Sequence, residues 1–361
     1  MRKMELSNTE HRNWVKRREF LKLGGCGILG MMIAASTTNG ARAQDTTPDM
    51  KNIKSNLKKL RYSTYNQNYI PAWPLTIAQA QGYFEEVGFD EVEYILSDQN
   101  VAGLIGGSVD IGHNDTDEWM GASAASGVPI KVISIFRQKE FWIMGVRKGI
   151  EGPEDLKGAK ISGGSLQNRN TWIQRQILKK LGVDESDVEF VPITGASDTR
   201  LGAILAGQLD AASLFPRHEG GLVEAGGKFL FKELTDSPQE AYAALQSFID
   251  ANEDAVYAYT LADIRARQWL FDPAHKDEAY KIVRDFGFDV PPAFEEQYDI
   301  ELEQISPDGG FVNAENMDEF IDVQKMTGAV PENLEWRDYV DMKYVWAAQE
   351  ALGLPKRPAS L

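Results

Sequence analysis

Cysteine is almost missing from this sequence: Cys26 is the single one in 361 residues. That excludes an intrachain disulfide framework and any paired-cysteine metal knuckle. Histidine is nearly as scarce, at four residues, so a histidine-rich metal site is not expected. No run of about eighteen consecutive apolar residues occurs, which argues against a conventional membrane-spanning helix. Basic charge is in deficit, 38 Lys and Arg against 54 Asp and Glu for a net −16. Most of such a surface repels nucleic acid, which is not expected as a partner. The motifs GxSxG, HExxH and GxxxxGK(S/T) are absent as well, so no nucleophile elbow, metalloprotease helix or phosphate loop is on offer, and no cofactor is expected. What remains is an ordinary globular composition, 43% hydrophobic, long enough for two domains at about 100–200 residues each.

Residues 1–43 read as an address. A basic start ends in Lys16-Arg17-Arg18-Glu19-Phe20-Leu21-Lys22, an apolar glycine-rich stretch runs from Leu23 to Ala35, and Ala41-Arg42-Ala43 supplies small residues for cleavage after Ala43. The paired arginines resemble the twin-arginine export signal, which implies a translocase partner during export and a periplasmic location. Three rival readings are weaker, one of them an uncleaved membrane anchor, for which the glycine-rich run is short. Gly25-Cys26-Gly27-Ile28-Leu29-Gly30 spells GxGxxG, but no strand precedes it. Leu23-Gly24-Gly25-Cys26 is a faint lipoprotein box, but the apolar run follows the cysteine instead of preceding it. Residues 1–43 hold eight basic and three acidic side chains, so the remainder has 30 basic against 51 acidic, net −21, and no cysteine.

Residues 44–57 are polar and are expected to form a flexible leader. From Leu60 on, short β-like runs alternate with amphipathic helices, the pattern of a doubly wound α/β fold. Expected strands are Leu60–Thr64, Val92–Ile95, Val109–Gly112, Ile130–Phe136, Phe141–Val146, Ala159–Ser162, Val188–Pro192 and Ala211–Phe215. Pro74 suits the first turn of a helix reaching Gln81 or Gly82. Further helices are expected over Gln99–Ile105, Glu118–Ser126, Gln167–Leu181 and Ser197–Ala206. Beyond residue 240 the chain turns helical, over Ile249–Phe271, Lys276–Phe286, Met317–Thr327 and Asp338–Leu352. The β-α-β order of 60–148 is echoed in 153–234, which suggests two lobes. Their expected extents are 58–148, 149–240, and a return to the first lobe with C-terminal helices over 241–361.

Several segments then become familiar. Val101-Ala102-Gly103-Leu104-Ile105-Gly106-Gly107-Ser108-Val109-Asp110-Ile111-Gly112 resembles a stretch of the periplasmic solute-binding proteins that feed ABC importers for nitrate, sulfonates, taurine and thiamine precursors. Glu85–Glu93, Glu154-Asp155-Leu156-Lys157-Gly158, Leu205–Ala211 and Tyr339–Tyr344 followed by Leu352-Gly353 agree with that family in type and order. The resemblance implies a type II periplasmic binding protein, two doubly wound α/β lobes joined by a hinge. It also implies a small-molecule solute in the cleft, an ABC permease with its ATPase as partners, and no catalysis. An exported enzyme on the same fold and a ligand sensor reporting to a membrane receptor remain alternatives.

Open α/β sheets bind ligands beyond the carboxyl ends of their strands. In the first lobe that singles out Ser63, Thr64, Tyr65, Asn66, Tyr69 and Trp73, then His113, Asn114, Asp115, Thr116 and Asp117. In the second it singles out Gly163-Gly164-Ser165, Gly195-Ala196-Ser197, Phe215, Arg217 and His218, with Phe136 and Arg137 at the crossing. Each has a plainer role available. Asp115-x-x-Glu118 fits a capping box, His113 could be a satisfied loop residue, and Trp73 could be core. Asp198 and Arg200 read as solvated helix-start residues. Arg137 could clamp an anion or sit on the surface. Asp115 and Asp117 disfavour a bare anion. Tyr65, Tyr69, Trp73, Trp119, Trp142 and Trp172 suggest an aromatic wall for a flat or cationic group. Together these favour a small nitrogen-containing solute, zwitterionic or heterocyclic, over nitrate.

Overall fold

Apolar side chains alternate along a half-buried strand, and from Ile130 they do so for longer than expected. In the computed structural model, which describes residues 48–64, 73–97, 99–288, 290 and 298–361, Ile130–Val146 is one strand where two are expected. The polar stretch Arg137–Glu140 lies between the two expected strands. It pairs instead with a second long strand, Lys228–Leu245, that is not predicted at all because Thr235-Asp236-Ser237-Pro238 carries turn chemistry. The ladder absorbs that chemistry in a bulge. Arg137 pairs with Glu240 and Lys139 with Asp236, leaving Ser237, Pro238 and Gln239 opposite Gln138. Proline, which cannot donate to a ladder, is tolerated there.

In chain order the strands are β1 (Lys59–Thr64), β2 (Glu91–Leu96), β3 (Ile111–Asp115), β4 (Ile130–Val146), β5 (Lys160–Ser162), β6 (Glu189–Phe190), β7 (Ala211–Ser213) and β8 (Lys228–Leu245). They form one sheet in the order β2-β1-β3-β8-β4-β7-β5-β6. β1 is parallel to β2 and β3, and β5 is parallel to β6 and β7. One end of β8 pairs with β3 and the far end of β4 with β7. The β4–β8 ribbon therefore belongs to both halves, and each half repeats the same plan around it.

The repeat extends to single residues. The Asp110 carboxylate accepts the Arg61 backbone N–H at 2.8 Å, with the Arg61 guanidinium beside it at 2.5 Å. In the other half the Asp210 carboxylate accepts the Lys160 N–H at 2.7 Å and the Arg147 Nε–H at 2.5 Å. The aspartates that open β3 and β7 thus anchor the first strand of each half.

The main core packs β1, β3 and the near ends of β4 and β8 against the helices Trp73–Ala80, Glu253–Leu270 and Lys343–Ala351. The second half has a smaller core on each face of its sheet. Trp142, Met144 and Val146 point to one and Ile143 to the other, as the period of two requires. The helix expected over Ile249–Phe271 breaks at Asn252 into Gln246–Ala251 and Glu253–Leu270, and the last long helix begins at Lys343, not Asp338. Part of the expected flexible leader is tied down: Met50 is buried, and the Ser55 N–H donates to the Val87 carbonyl at 2.7 Å. No helix among the described residues is long and apolar enough to cross a membrane. Residues 1–43, with the expected export signal, lie outside the described residues.

Candidate functional site

The carboxyl end of β3 and the loop after β5 face each other across the ribbon. Between them lies a cavity of about 390 Å³. Asp115 and Asp117 form one wall, and Ser165, Gln167, Asn168, Arg169 and Asn170 form the opposite one. Gln239 enters from the β8 bulge, and Gln324, Thr327, Gly328 and Ala329 close the side at the end of helix Ala314–Thr327. A narrower recess of about 80 Å³ shares Asn170 and Gln239 and runs along the ribbon past Arg137, Glu140, Phe141, Phe215 and Glu240.

The loop after β5 turns tightly onto the helix Arg169–Leu181. A Cβ on Gly163 would stand 2.3 Å from the Thr171 nitrogen, and Gly164 holds φ +126, a conformation that favours glycine. Asn168 caps the helix by accepting the Thr171 N–H at 2.9 Å. The first turn of that helix, with its free backbone N–H groups, therefore opens on the cavity.

Charge in the cleft is lopsided. Arg137 is buried, its Nε–H donating to Glu240 at 3.0 Å and its Nη1 lying 3.6 Å from Glu301. It is neither an exposed side chain nor an uncommitted anion clamp, because two carboxylates already neutralise it. Arg169 is ion-paired with Glu140, donates to Ser237 Oγ at 3.1 Å, and stacks 4.8 Å over the Phe320 ring. Burial, reinforced by Glu240, Asp117 and Glu118 and opposed by Arg137, raises the Asp115 carboxyl well above the ordinary range. Burial likewise pushes Asp117 up to about 6, with Arg169 opposing.

The other expected contact residues divide. Ser165, Asp115, Asp117, Arg137 and Phe215 line the two spaces. Thr64 and His113 lie behind the wall, the Thr64 hydroxyl 3.2 Å from His113 Nδ1 and His113 Nε2 3.1 Å from Glu240. Trp73 is core, edge-on to Tyr280 at 5.4 Å. Thr116 and Asn114 are buried. Asn114 Nδ2 donates to Glu118 at 2.7 Å, so Glu118 is engaged there. Asp115 occupies the cap position of helix Thr116–Ser126 without making a cap hydrogen bond, and the capping box does not form. Gly164 turns the β5 loop. Ser197 Oγ accepts from Arg217 at 2.7 Å, and neither residue lines the cavity. Arg200, expected in solvent, is buried and donates to the Ser213 carbonyl at 2.9 Å. Tyr65, Asn66 and Tyr69 lie outside the described residues.

The aromatic wall is not there. Trp119 is buried with its indole N–H on the Ala241 carbonyl at 3.1 Å, and Trp142 packs edge-on to Trp172 at 5.6 Å in the second-half core. Glu140, Arg169, Asn170, Gln239 and Glu240 were not anticipated. Gln239 and Glu240 lie on β8, which is not among the expected strands, and Glu140 lies between two expected strands that are one. Arg169 and Asn170 open an expected helix to which no contact was assigned beyond the Gly163-Gly164-Ser165 loop before it.

Two α/β halves sharing a long antiparallel ribbon, with a polar cavity where their strand ends meet, define the fold of the periplasmic solute-binding proteins. A family model described as NMT1/THI5 like matches residues 71–276, and the chain belongs to that family. It is 23% identical over 283 residues to the binding protein YtlA of Bacillus subtilis (strain 168), covering 74% of this chain and 83% of YtlA. It is 24% identical over 316 residues to the nitrate/nitrite binding protein NrtA of Nostoc sp. (strain PCC 7120), covering 75% of this chain and 70% of NrtA. The crystal structure of the periplasmic sulfonate-binding protein SsuA from Methylobacillus flagellatus KT superposes with a TM-score of 0.64 at 15% identity, covering 85% of this chain and 98% of SsuA.

Proposed function

We propose that this protein is the extracytoplasmic solute receptor of an ABC importer. It captures a small organic nitrogen- or sulfur-containing solute between its lobes and hands it to a membrane permease driven by an ATPase. Residues 58–148 with 241–361 form one lobe in this reading and 149–240 the other, and the twin-arginine segment delivers the chain to the periplasm with cleavage after Ala43. One observation carries the proposal: the polar cavity of about 390 Å³ is walled by both halves of the sheet and floored by the ribbon that joins them. Bending that ribbon changes the spacing of the walls, which is how two-lobed receptors close on a ligand. The family relatives support the same reading, since their names identify binding proteins, one of them for nitrate and nitrite.

The experiment is a titration of the purified protein with sulfonates, taurine, amines and pyrimidines, followed by tryptophan fluorescence and by solution scattering. Saturable binding with a smaller radius of gyration and recovery of unchanged solute is the expected result. Conversion of a bound compound would transfer the protein to the exported-enzyme class.

A further inference from the structure

We infer that the solute is bipolar, with an ammonium group held against Asp115 and Asp117 and a hydrogen-bond acceptor held against Arg169 on the facing wall. The inference rests on the receptor reading and narrows its ligand.

The two walls differ in what they offer: carboxylates on one, an unused N–H donor on the other. The Asp115 carboxylate makes no cap hydrogen bond, although its own N–H donates to Asn114 Oδ1 at 2.9 Å, and neither Asp115 nor Asp117 has an ion pair among the described residues. The adjoining side of the cavity is the C-terminal end of helix Ala314–Thr327, with Gln324, Thr327 and Gly328 in the lining. A helix C-terminus presents carbonyls and a partial negative charge. The N-terminus of helix Thr116–Ser126 also opens here, but Asp115, Asp117 and Glu118 already lie on it. A cationic group on this side meets the two carboxylates, the helix-end carbonyls and the Gln324 and Thr327 side chains.

Across the cavity the polarity reverses. Arg169 begins helix Arg169–Leu181, whose positive end opens on the cavity. Its Nη1 is buried with no hydrogen-bond partner among the described residues, while Nε and Nη2 are committed to Glu140 and Ser237. A buried N–H donor left without an acceptor is costly, and an acceptor atom on the solute, brought up to it as the lobes close, removes that cost. A bare oxyanion at Arg169 would share the cavity with Asp115 and Asp117, and Arg169 is near enough to Asp117 to influence its carboxyl. The two arginines able to offset them are already spent on Glu140, Glu240 and Glu301.

The test begins with the small molecule released by denaturing natively purified protein, identified by mass spectrometry. That compound, together with ethanolamine, β-alaninamide, γ-aminobutyrate, nitrate and ethanesulfonate, is then titrated calorimetrically into wild type and Asp115→Asn. Support is an amine-bearing ligand whose affinity falls about tenfold to a hundredfold in the variant, the range for losing a hydrogen bond to a charged group. The empty variant should melt no lower than wild type, because the substitution removes a carboxylate that burial disfavours. A merely structural Asp115 would lower the melting temperature instead. Tight binding of nitrate or ethanesulfonate, or of a released solute without an amine, overturns the bipolar ligand and leaves the receptor standing. Amine binding that Asp115→Asn does not weaken overturns it too. The absence of any saturable ligand overturns both.

Discussion

Asp117 lies in the first turn of helix Thr116–Ser126, where a negative charge ordinarily helps, yet burial pushes its carboxyl up from 3.8 to about 6. A folded-state value above the unfolded one means that the folded protein holds the proton more tightly. The resulting stability is complete below about pH 4 and is lost as pH rises through about 6. The full gap corresponds to roughly 3 kcal/mol. Asp117 borders an open cavity, so solvent screening trims this to about 1–2 kcal/mol. The hydrogen bond from its own backbone N–H and then the Arg169 charge work against the shift, while Glu118 and Glu140 add to it. In Asp117→Asn the ionisation is gone, and the difference from wild type isolates this group from every other titration. Urea unfolding at pH 4.5, 6 and 7.5 is the assay. The variant should be more stable than wild type by about 1–2 kcal/mol at pH 7.5, with the difference closing towards pH 4.5. A difference that stays constant with pH, or a variant less stable at pH 7.5, refutes the reasoning.

Other perturbations test the frame around the cavity. Arg169→Ala removes the partner of the buried Glu140 and the contact with Phe320. It should cost about 3–5 kcal/mol in urea unfolding, the range for stranding one member of a buried pair, and should enlarge the unliganded protein in solution scattering. Asp110→Ala takes the acceptor from the Arg61 N–H and guanidinium, at a cost of about 1–3 kcal/mol. The equivalent Asp210→Ala should cost less, because Asp210 is the more exposed of the two. Replacing Arg17 and Arg18 by lysine should leave the uncleaved protein in the cytoplasm on cell fractionation, whereas continued export would remove the twin-arginine reading.

Much of the frame was legible because its signals are local. Pro74 begins the helix Trp73–Ala80 within a residue of its expected place, and Gln167–Leu181 and Ser197–Ala206 each contain the helix found. The echo between 60–148 and 153–234 is local too, and it reaches the matching roles of Asp110 and Asp210. What escaped is non-local. The stretch around Arg137 and Gln138 is polar because it is buried against other polar groups: Glu240, Glu301, and Arg357, whose Nη2 donates to Gln138 Oε1 at 2.6 Å. Nothing within a short window of sequence distinguishes that from a solvated turn.

The same limit explains the site. Asp115 and Asp117 could be found because they follow a strand, but the residues they face come from the ribbon bulge, the start of helix Arg169–Leu181 and the end of helix Ala314–Thr327. Aromatic residues near strand ends in the sequence turned inward as core, since a large apolar side chain gains more from burial than from lining a wet cleft. Polar residues took the lining instead. The bulge at Ser237–Gln239 links the two levels: it interrupts the ladder of the ribbon that both halves share, and it places Gln239 in the lining of both the main cavity and the recess. A solute in either space therefore meets the ribbon that both halves share.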